Sequence, residues 1–282
     1  MTAGAARATL RLGTRRSALA LAQSGQVARE LERRVPGLTV ELVPVVTSGD
    51  VYRGDLAAVG GKGLFTLELE RGLAAGTLDL AVHSLKDLPV ELPEGLVVAA
   101  FPERADPRDV LVSEVAGSVG ELPEGAVVLT GSLRRRAQLL ALRPDLVVEA
   151  IRGNVDTRLA KWRERGAAGV ILAAAGLARL GDGLPRDLPL HPLAPEEMLP
   201  APGQGTLALE VAAGGAAAEV VRVMDDRAAR EAAEAERAVV AAFGGDCTLP
   251  LAAWARRDGA GALRLEGMLA TADGRRVARG VG

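Results

Sequence analysis

Basic side chains and hydroxyl side chains occur together in four short motifs of this sequence. A guanidinium group pairs with a carboxylate or phosphate through two parallel hydrogen bonds, and hydroxyl groups and helix-start N–H groups add further donors. One isolated arginine is usually a solvated surface charge, but four such motifs predict a site for an anion with several negative groups. The motifs are Thr14-Arg15-Arg16-Ser17, His83-Ser84-Leu85-Lys86-Asp87, Thr130-Gly131-Ser132-Leu133-Arg134-Arg135-Arg136 and Arg152-Gly153-Asn154-Val155-Asp156-Thr157-Arg158.

The sequence contains one cysteine, Cys247, in the glycine-containing segment of residues 243–250. This segment predicts an exposed loop, and a single thiol forms no disulfide within the chain. Cys247 is therefore either a filler residue or a soft nucleophile, and the residues alone leave both interpretations open.

Three common kinds of site have little support in the sequence. His83, His191 and one cysteine are a poor ligand set for zinc, so we expect no metal site. The glycines around Lys62 do not form a P-loop, because a glycine follows the lysine where Ser or Thr is required. A serine hydrolase lacks its Gly-x-Ser-x-Gly motif, so we expect a structural role for His83.

The composition describes an ordinary globular chain: of its 282 residues 49% are hydrophobic and 25% are charged, with a net charge of −2. A slightly acidic chain with few aromatic residues does not favour nucleic-acid binding. We find neither the apolar stretch of a signal peptide nor a run of ~20 apolar residues that would span a membrane. These features predict a cytoplasmic protein without nucleic-acid or membrane partners.

Short β-branched runs alternate with helical stretches, which is the pattern of a parallel sheet covered by helices on both faces. Since the four motifs follow strands or begin helices, they lie where open α/β sheets bind ligands. Ser132 and Asn154 stand at the expected N-caps of two helices. The expected strands are residues 9–12, 38–46, 80–83, 96–101, 127–130, 146–150 and 169–173, and the expected helices are residues 18–34, 65–75, 133–142 and 155–165.

Two breaks divide the chain, at residues 102–108 and at residues 199–205. A different pattern follows the second break: one helix rich in Ala, Glu and Arg at about residues 226–243, then three short strands after Cys247. This change of pattern predicts a third, smaller unit.

Seven motifs in register resemble the porphobilinogen deaminase family, also called hydroxymethylbilane synthases. The resemblance implies an α/β fold of three domains, the first two like periplasmic binding proteins with a ligand cleft between them. The third would be a small α/β domain, shortened at its C-terminal end, that carries a cofactor cysteine. The implied domains are residues 1–102 with 203–222, residues 103–202, and residues 223–282. The motifs are Thr14-Arg15-x-Ser17, Gly60-Gly61-Lys62-Gly63-Leu64-Phe65, Ala81-Val82-His83-Ser84-x-Lys86-Asp87, Ser132-Leu133-Arg134-Arg135, Arg152-Gly153-Asn154-Val155-x-Thr157-Arg158, Pro202-Gly203-Gln204-Gly205 and the loop around Cys247.

By this resemblance the chain is a transferase that condenses four porphobilinogen molecules head to tail, with release of ammonia, into the linear tetrapyrrole hydroxymethylbilane. The resemblance also implies a dipyrromethane cofactor, made from the same substrate and attached through a thioether to Cys247. The thiol would then anchor the cofactor instead of performing catalysis. A monomer whose partner is the small-molecule substrate is the expected form.

The resemblance assigns roles to individual residues. Asp87 matches the catalytic carboxylate, which helps ammonia depart and stabilises the cation that remains. The arginines would bind the acetate and propionate groups of the pyrroles, and Phe65 would pack near the cofactor rings. The implied cofactor-binding residues are Cys247, Lys86, Ser132, Arg134, Arg135 and Thr130, and the implied substrate-binding residues are Arg15, Ser17, Arg152, Arg158, Arg179 and Gln23.

Two other classes of protein remain open from the residues. A non-catalytic anion-binding protein similar to solute receptors would use the same arginines but has no use for the cysteine loop. A thiol enzyme or redox sensor would need a basic partner near Cys247, and the sequence places Asp246 there.

Overall fold

The computed structural model describes residues 9–48, 65–244 and 249–282 and divides into two compact units. The first unit comprises Met1–Arg104 and Thr206–Arg230, and the second comprises Ala105–Gly205 and Glu231–Gly282. The chain therefore passes from one unit to the other at Arg104–Ala105 and at Gly205–Thr206, which agrees with the breaks predicted at residues 102–108 and 199–205. The division into three domains remains a prediction.

The described residues form an α/β structure, as the sequence predicts. Their strands are β1 (Thr9–Arg15), β2 (Thr39–Val45), β3 (Leu80–Ser84), β4 (Leu96–Ala100), β5 (Asp109–Val112), β6 (Val127–Leu129), β7 (Val147–Glu149), β8 (Gly169–Ala173), β9 (Leu190–Pro192), β10 (Leu207–Ala212), β11 (Leu251–Arg257), β12 (Leu263–Ala270) and β13 (Val277–Val281). Their α-helices are α1 (Ala18–Arg34), α2 (Leu67–Ala74), α3 (Leu133–Leu142), α4 (Val155–Arg165), α5 (Ala174–Leu180), α6 (Ala216–Val221) and α7 (Arg227–Ala242).

The first unit is built on a five-stranded sheet of order β2-β1-β3-β10-β4. Strand β1 pairs in parallel with β2 and β3, whereas β10 runs antiparallel to β3 and β4. Because β1 and β3 are parallel, the motifs that follow them lie at the same edge of the sheet. Helix α1 covers the sheet with a face that includes Val27 and Leu31, which are buried with Leu12 and Leu80 in one apolar cluster.

The second unit contains a five-stranded sheet of order β7-β6-β8-β5-β9 with the same pattern of directions. Strand β6 pairs in parallel with β7 and β8, and β5 runs antiparallel to β8 and β9. The ends of β6 and β7 therefore bring the motifs at residues 130–136 and 152–158 to one edge of this sheet. Both sheets are mixed where the sequence pattern predicts parallel ones, because β10 and β5 run antiparallel to their neighbours.

The second unit also holds an antiparallel sheet of order β11-β12-β13. Its buried side includes Ala252 and Met268, which pack with Leu199. Glu236 of α7 is fully buried, and its carboxylate accepts hydrogen bonds from the backbone N–H groups of Gly203 at 2.6 Å and Ala255 at 2.7 Å. The helix and the sheet are thus tied to the segment that contains Gly203.

Local capping explains where several helices begin and end. Ser17 precedes α1, and its Oγ accepts a hydrogen bond from the N–H of Ala20 at 3.3 Å. Ser132 caps α3 as predicted, since its Oγ accepts from the N–H of Arg135 at 3.4 Å. Asn154 occupies the N-cap of α4, but its side chain makes no capping hydrogen bond. Gly166 ends α4 in the left-handed conformation, with φ of 59°, which glycine adopts without a steric penalty.

Candidate functional site

The first unit places several predicted site residues at the edge where β1 and β3 end. Gln23 is buried on α1, and its Nε2 donates a hydrogen bond to Ser84 Oγ at 3.0 Å. The structure thus joins Gln23 to the segment that contains Lys86 and Asp87. Ser17, by contrast, uses its hydroxyl to cap α1.

Asp87 lies at the end of a short 3-10 turn, Leu85–Asp87, which directly follows β3. The turn is anchored by the buried side chain of Leu85 and by a hydrogen bond from its N–H to the carbonyl of Thr206 at 3.0 Å. Asp87 itself is exposed and Lys86 is half-buried. The structure therefore presents the Asp87 carboxylate to solvent from a fixed backbone.

Arg15, at the end of β1, packs against an aromatic ring. Its guanidinium carbon lies 4.2 Å from the centroid of the Phe65 ring, which is a cation–π contact. Both residues are half-buried. Phe65 therefore helps to orient the Arg15 side chain at the same edge as Asp87.

A buried cluster of ionisable groups lies inside the first unit. His83 Nε2 is 2.9 Å from Glu210 Oε2, and both side chains are buried, as the structural role predicted for His83 requires. Burial raises the pKa of the nearby Glu70 carboxyl, and the carboxylate of Glu210 acts in the same direction. None of these three groups belongs to the predicted site.

The second unit carries another group of predicted residues at the start of α3. Thr130 Oγ1 accepts a hydrogen bond from the N–H of Ser132 at 3.2 Å, so both hydroxyl residues shape the turn that leads into the helix. Arg134 and Arg135 follow in the first turn and are buried, with 3% and 5% of their surface exposed. Such burial is unusual for arginine unless its charge is compensated.

The compensating group is Asp109, which begins β5 and is fully buried. Asp109 Oδ1 accepts from Nε of Arg135 at 3.0 Å, from its Nη2 at 2.7 Å and from Nε2 of Gln204 at 2.8 Å. Asp109 Oδ2 lies 2.8 Å from Nη2 of Arg134. Burial alone raises the pKa of Asp109, but the two guanidinium charges and these hydrogen bonds outweigh it and lower the pKa to about 2.

The two arginines are held to different extents. Arg135 also donates from Nη1 to the carbonyl of Ile171 at 2.9 Å, and Arg134 donates from Nη1 to the carbonyl of Leu199 at 2.6 Å. Within the described residues, however, Nε of Arg134 and Oδ2 of Asp109 have no hydrogen-bond partner. Two buried cations and one carboxylate sum to one positive charge, so this cluster is suited to receive a further carboxylate.

The remaining predicted arginines of the second unit are less buried. Arg152 is exposed, and Arg158 donates from Nε to the carbonyl of Gly153 at 2.7 Å. Arg179, at the end of α5, donates from Nη2 to the carbonyl of Gly205 at 2.7 Å. Burial lowers the pKa of Arg179 to about 10. A partly desolvated guanidinium beside a neutral carbonyl favours an added anion.

Sequence reasoning missed two residues of this arrangement, Asp109 and the side chain of Gln204. Gln204 lies in a motif that carries the family resemblance, but that resemblance predicts no role for its side chain. The available signal for Asp109 was an acidic residue at the start of an apolar strand, a position that needs a cationic partner.

Some predicted features lie outside the described residues, namely Cys247 with its neighbour Asp246 and the glycine motif at residues 60–63. Among the residues that are described, no group of three or more His, Cys, Asp or Glu side chains is placed to hold a metal ion. None of the described helices is both long enough and apolar enough to span a bilayer.

Comparison with known proteins gives consistent matches along the chain. Residues 10–219 match the family model "Porphobilinogen deaminase, dipyromethane cofactor binding domain", and residues 230–281 match "Porphobilinogen deaminase, C-terminal domain". Porphobilinogen deaminase from Syntrophus aciditrophicus is 45% identical over 274 residues, which cover 96% of this chain and 88% of that protein. The enzyme of the same name from Roseiflexus sp. is 48% identical, over 95% of this chain and 88% of that protein.

Likenesses to solved structures are weaker. The methionine-binding protein MetQ aligns with a TM-score of 0.46 and 14% identity, over 84% of this chain and 96% of that one. A likeness at this level carries no argument about function.

Proposed function

The chain belongs to the porphobilinogen deaminase family, and we propose that Asp87 is its catalytic carboxylate and that Cys247 carries its cofactor. The protein is a transferase of tetrapyrrole biosynthesis that joins four porphobilinogen molecules head to tail, releases ammonia and forms hydroxymethylbilane. The dipyrromethane cofactor of the family, when bound, supplies the pyrrole to which the first substrate molecule is joined.

The exposed carboxylate of Asp87 on an anchored turn is the observation that supports its catalytic role. Loss of ammonia from porphobilinogen leaves an azafulvenium cation whose charge is shared with the pyrrole N–H. A carboxylate that accepts a hydrogen bond from this N–H stabilises the cation, and it can also move a proton during the departure of ammonia. The N–H of Leu85 donates to the carbonyl of Thr206, and Gln23 donates to Ser84 Oγ. These two hydrogen bonds hold the segment that carries Asp87.

Replacing Asp87 by asparagine tests this role, because the amide keeps the size of the side chain but not its charge. We expect Asp87→Asn to lower kcat by roughly 10²–10⁴-fold while KM changes little. Formation of hydroxymethylbilane by the cofactor-loaded enzyme is the measurement. Asp187→Asn, at an exposed position outside the proposed site, is the matched control. Turnover of Asp87→Asn close to that of the control would contradict the assignment.

Attachment of the cofactor to Cys247 is proposed because the chain contains no other cysteine to form a thioether. Intact-mass measurement of the freshly purified protein should show an adduct of two pyrrole units. The Cys247→Ser variant should lack that added mass. An unmodified mass in active wild-type protein would exclude this attachment.

The charges of the second unit support the proposed cofactor-binding residues. Arg134, Arg135 and Asp109 leave one positive charge, and Nε of Arg134 has no hydrogen-bond partner in the described part of the chain; both features fit a cofactor that carries several carboxylates. A carboxylate there would supply both the missing negative charge and the missing acceptor. The proposed cofactor-binding residues are Cys247, Lys86, Ser132, Arg134, Arg135 and Thr130.

The proposed substrate-binding residues are Arg15, Ser17, Arg152, Arg158, Arg179 and Gln23. Arg179 has the strongest support, since burial lowers its pKa to about 10 and a substrate carboxylate would stabilise its partly desolvated charge. Gln23 donates a hydrogen bond to Ser84, which supports an indirect role in which Gln23 holds the segment that contains Asp87.

The finer organisation is also a proposal. The two five-stranded sheets share one pattern of strand directions, which supports two related domains similar to periplasmic binding proteins. The proposed divisions are residues 1–102 with 203–222, residues 103–202, and residues 223–282 as a third domain that carries the cofactor cysteine. We also propose a cytoplasmic monomer that binds neither nucleic acid nor membranes. The near-neutral charge of −2 supports the absence of a nucleic-acid partner.

A further inference from the structure

Asp109 belongs to none of the motifs of the site, yet it contacts both arginines of α3. It begins β5, whereas the arginines are 25 and 26 residues further along the chain, so this contact depends on the fold of the second unit. Its side chain is fully buried and stays ionised at neutral pH, since its pKa is about 2. A buried carboxylate of this kind determines the orientation of the cations around it.

The two carboxylate oxygens of Asp109 have different partners. Oδ1 accepts from two nitrogens of Arg135 and from the amide of Gln204, which fixes the plane of the carboxylate. Gln204 is itself held, because the same Nε2 donates to the carbonyl of Pro107 at 2.8 Å. Oδ2 then lies beside Arg134 Nη2 at 2.8 Å as an ion pair without hydrogen-bond geometry. Among the described residues, Nε of Arg134 has no hydrogen-bond partner.

We infer that Asp109 is a positioning residue: its Oδ1 is held by Arg135 and Gln204, and its Oδ2 aims the guanidinium group of Arg134 at a carboxylate of the dipyrromethane cofactor. The inference rests on the proposed function of these arginines. Without the Asp109 charge, two buried cations at neighbouring positions repel each other and lose the acceptor that fixes their planes. Misplacement of such groups by about 1 Å lowers reaction rates by roughly 10²-fold in other enzymes.

The test measures how fast the full-length chain acquires its cofactor. Protein produced in cells that make no porphobilinogen, and therefore free of the adduct, is incubated with porphobilinogen. Intact mass then follows the fraction that carries the two-pyrrole adduct, divided by the folded fraction from circular dichroism. We expect Asp109→Asn to load roughly 10- to 100-fold more slowly per folded molecule, and Asp109→Glu, which restores the charge, to recover part of the rate. A purely structural role would lower the folded fraction and leave the rate per folded molecule unchanged.

Asp106→Asn is the matched control, since Asp106 is a partly exposed residue three positions earlier that pairs with Arg108. It should load at the wild-type rate. If Asp109→Asn does not fold, Gln204→Leu replaces it, because this change removes the amide donor but no charge. Its loading should be several-fold slower than that of wild type.

Wild-type loading by folded Asp109→Asn, or by Gln204→Leu where the first variant fails to fold, would overturn the inference and leave the proposed function intact. Absence of the adduct from the wild-type chain after incubation with porphobilinogen would overturn both.

Discussion

The two units hold their cationic side chains in different ways. In the second unit Arg134 and Arg135 are buried and share one internal carboxylate, Asp109. In the first unit Arg15 is half-buried and lies over the ring of Phe65. The arrangement in the second unit depends on charge, whereas the arrangement in the first unit depends on an aromatic face.

This difference assigns a different energetic role to each unit. Folding already removes Arg134 and Arg135 from water, so a carboxylate that binds them meets donors whose desolvation is complete. Arg15 keeps contact with solvent, and its binding to an anion is screened more strongly. We therefore expect Arg134 and Arg135 with Asp109 to hold a permanent anionic group and Arg15 to meet an exchanging one.

The largest expected difference is in stability. Arg135→Met removes one of the two cations that pair with buried Asp109 and should lower the free energy of unfolding by about 3–5 kcal/mol. Arg15→Met should lower it by less than about 1 kcal/mol and raise KM instead. Urea unfolding measures both. Fluorescence suits the second unit, because both tryptophans of the chain, Trp162 and Trp254, lie in it.

Equal losses of stability in these two variants would remove the distinction between the units. Circular dichroism serves for Arg15→Met, since tryptophan emission does not follow the first unit. The native circular dichroism spectrum of each variant before urea is added is the control for folding.

A smaller effect is expected from acid. The pKa of Asp109 in the folded protein is about 2, below its ordinary value of 3.8, so its ionised form stabilises the second unit above pH 4. This contribution, about 2 kcal/mol, should be lost as the pH falls from 4 to 2. Wild type should therefore lose more stability than Asp109→Asn over this range, as measured by tryptophan fluorescence in urea. Parallel losses in the two proteins would show that Asp109 titrates normally.

The smallest effect has the opposite sign and concerns the first unit. Burial raises the pKa of Glu70 above its ordinary value of 4.5, so the folded protein favours the protonated carboxyl. The folded protein therefore loses stability as the pH rises above 4.5. Glu70→Gln should therefore raise the Tm by about 1–3 °C at pH 7 and leave it unchanged at pH 4. Thermal circular dichroism gives both values, with Glu94→Gln, at an exposed position of the same unit, as the control. A lower Tm at pH 7 would mean that the Glu70 charge is stabilising.

Local patterns predicted much of the fold. The bounds of α1, α3 and α4 agree with those expected from apolar periodicity and caps. The sequence patterns missed the helices α5 and α6 and the strands β9, β5 and β10, of which the last two contain a buried carboxylate. Each of these two places a carboxylate, Asp109 or Glu210, within an apolar strand, and the cationic or imidazole partner that makes its burial possible comes from elsewhere in the chain.

The candidate site was predictable by residue type but not by contact. Gln23 is predicted to bind substrate, and the sequence does not indicate that its amide reaches Ser84, 61 residues further along the chain. Gln204 reaches Asp109 across 95 residues. Pairings at such separations depend on how strands are ordered in a sheet, which local propensity does not specify.

The amino-acid sequence by itself determined the family and the α/β class, because motifs and periodicity are local properties of the chain. Only the tertiary structure decided which cations are buried, which carboxylate pairs with them and which carboxylate faces solvent. The physical reason is that the energy of a charge depends on its solvation and on its neighbours in space. For Arg134, Arg135 and Asp109 those neighbours are brought together only by the folding of the second unit.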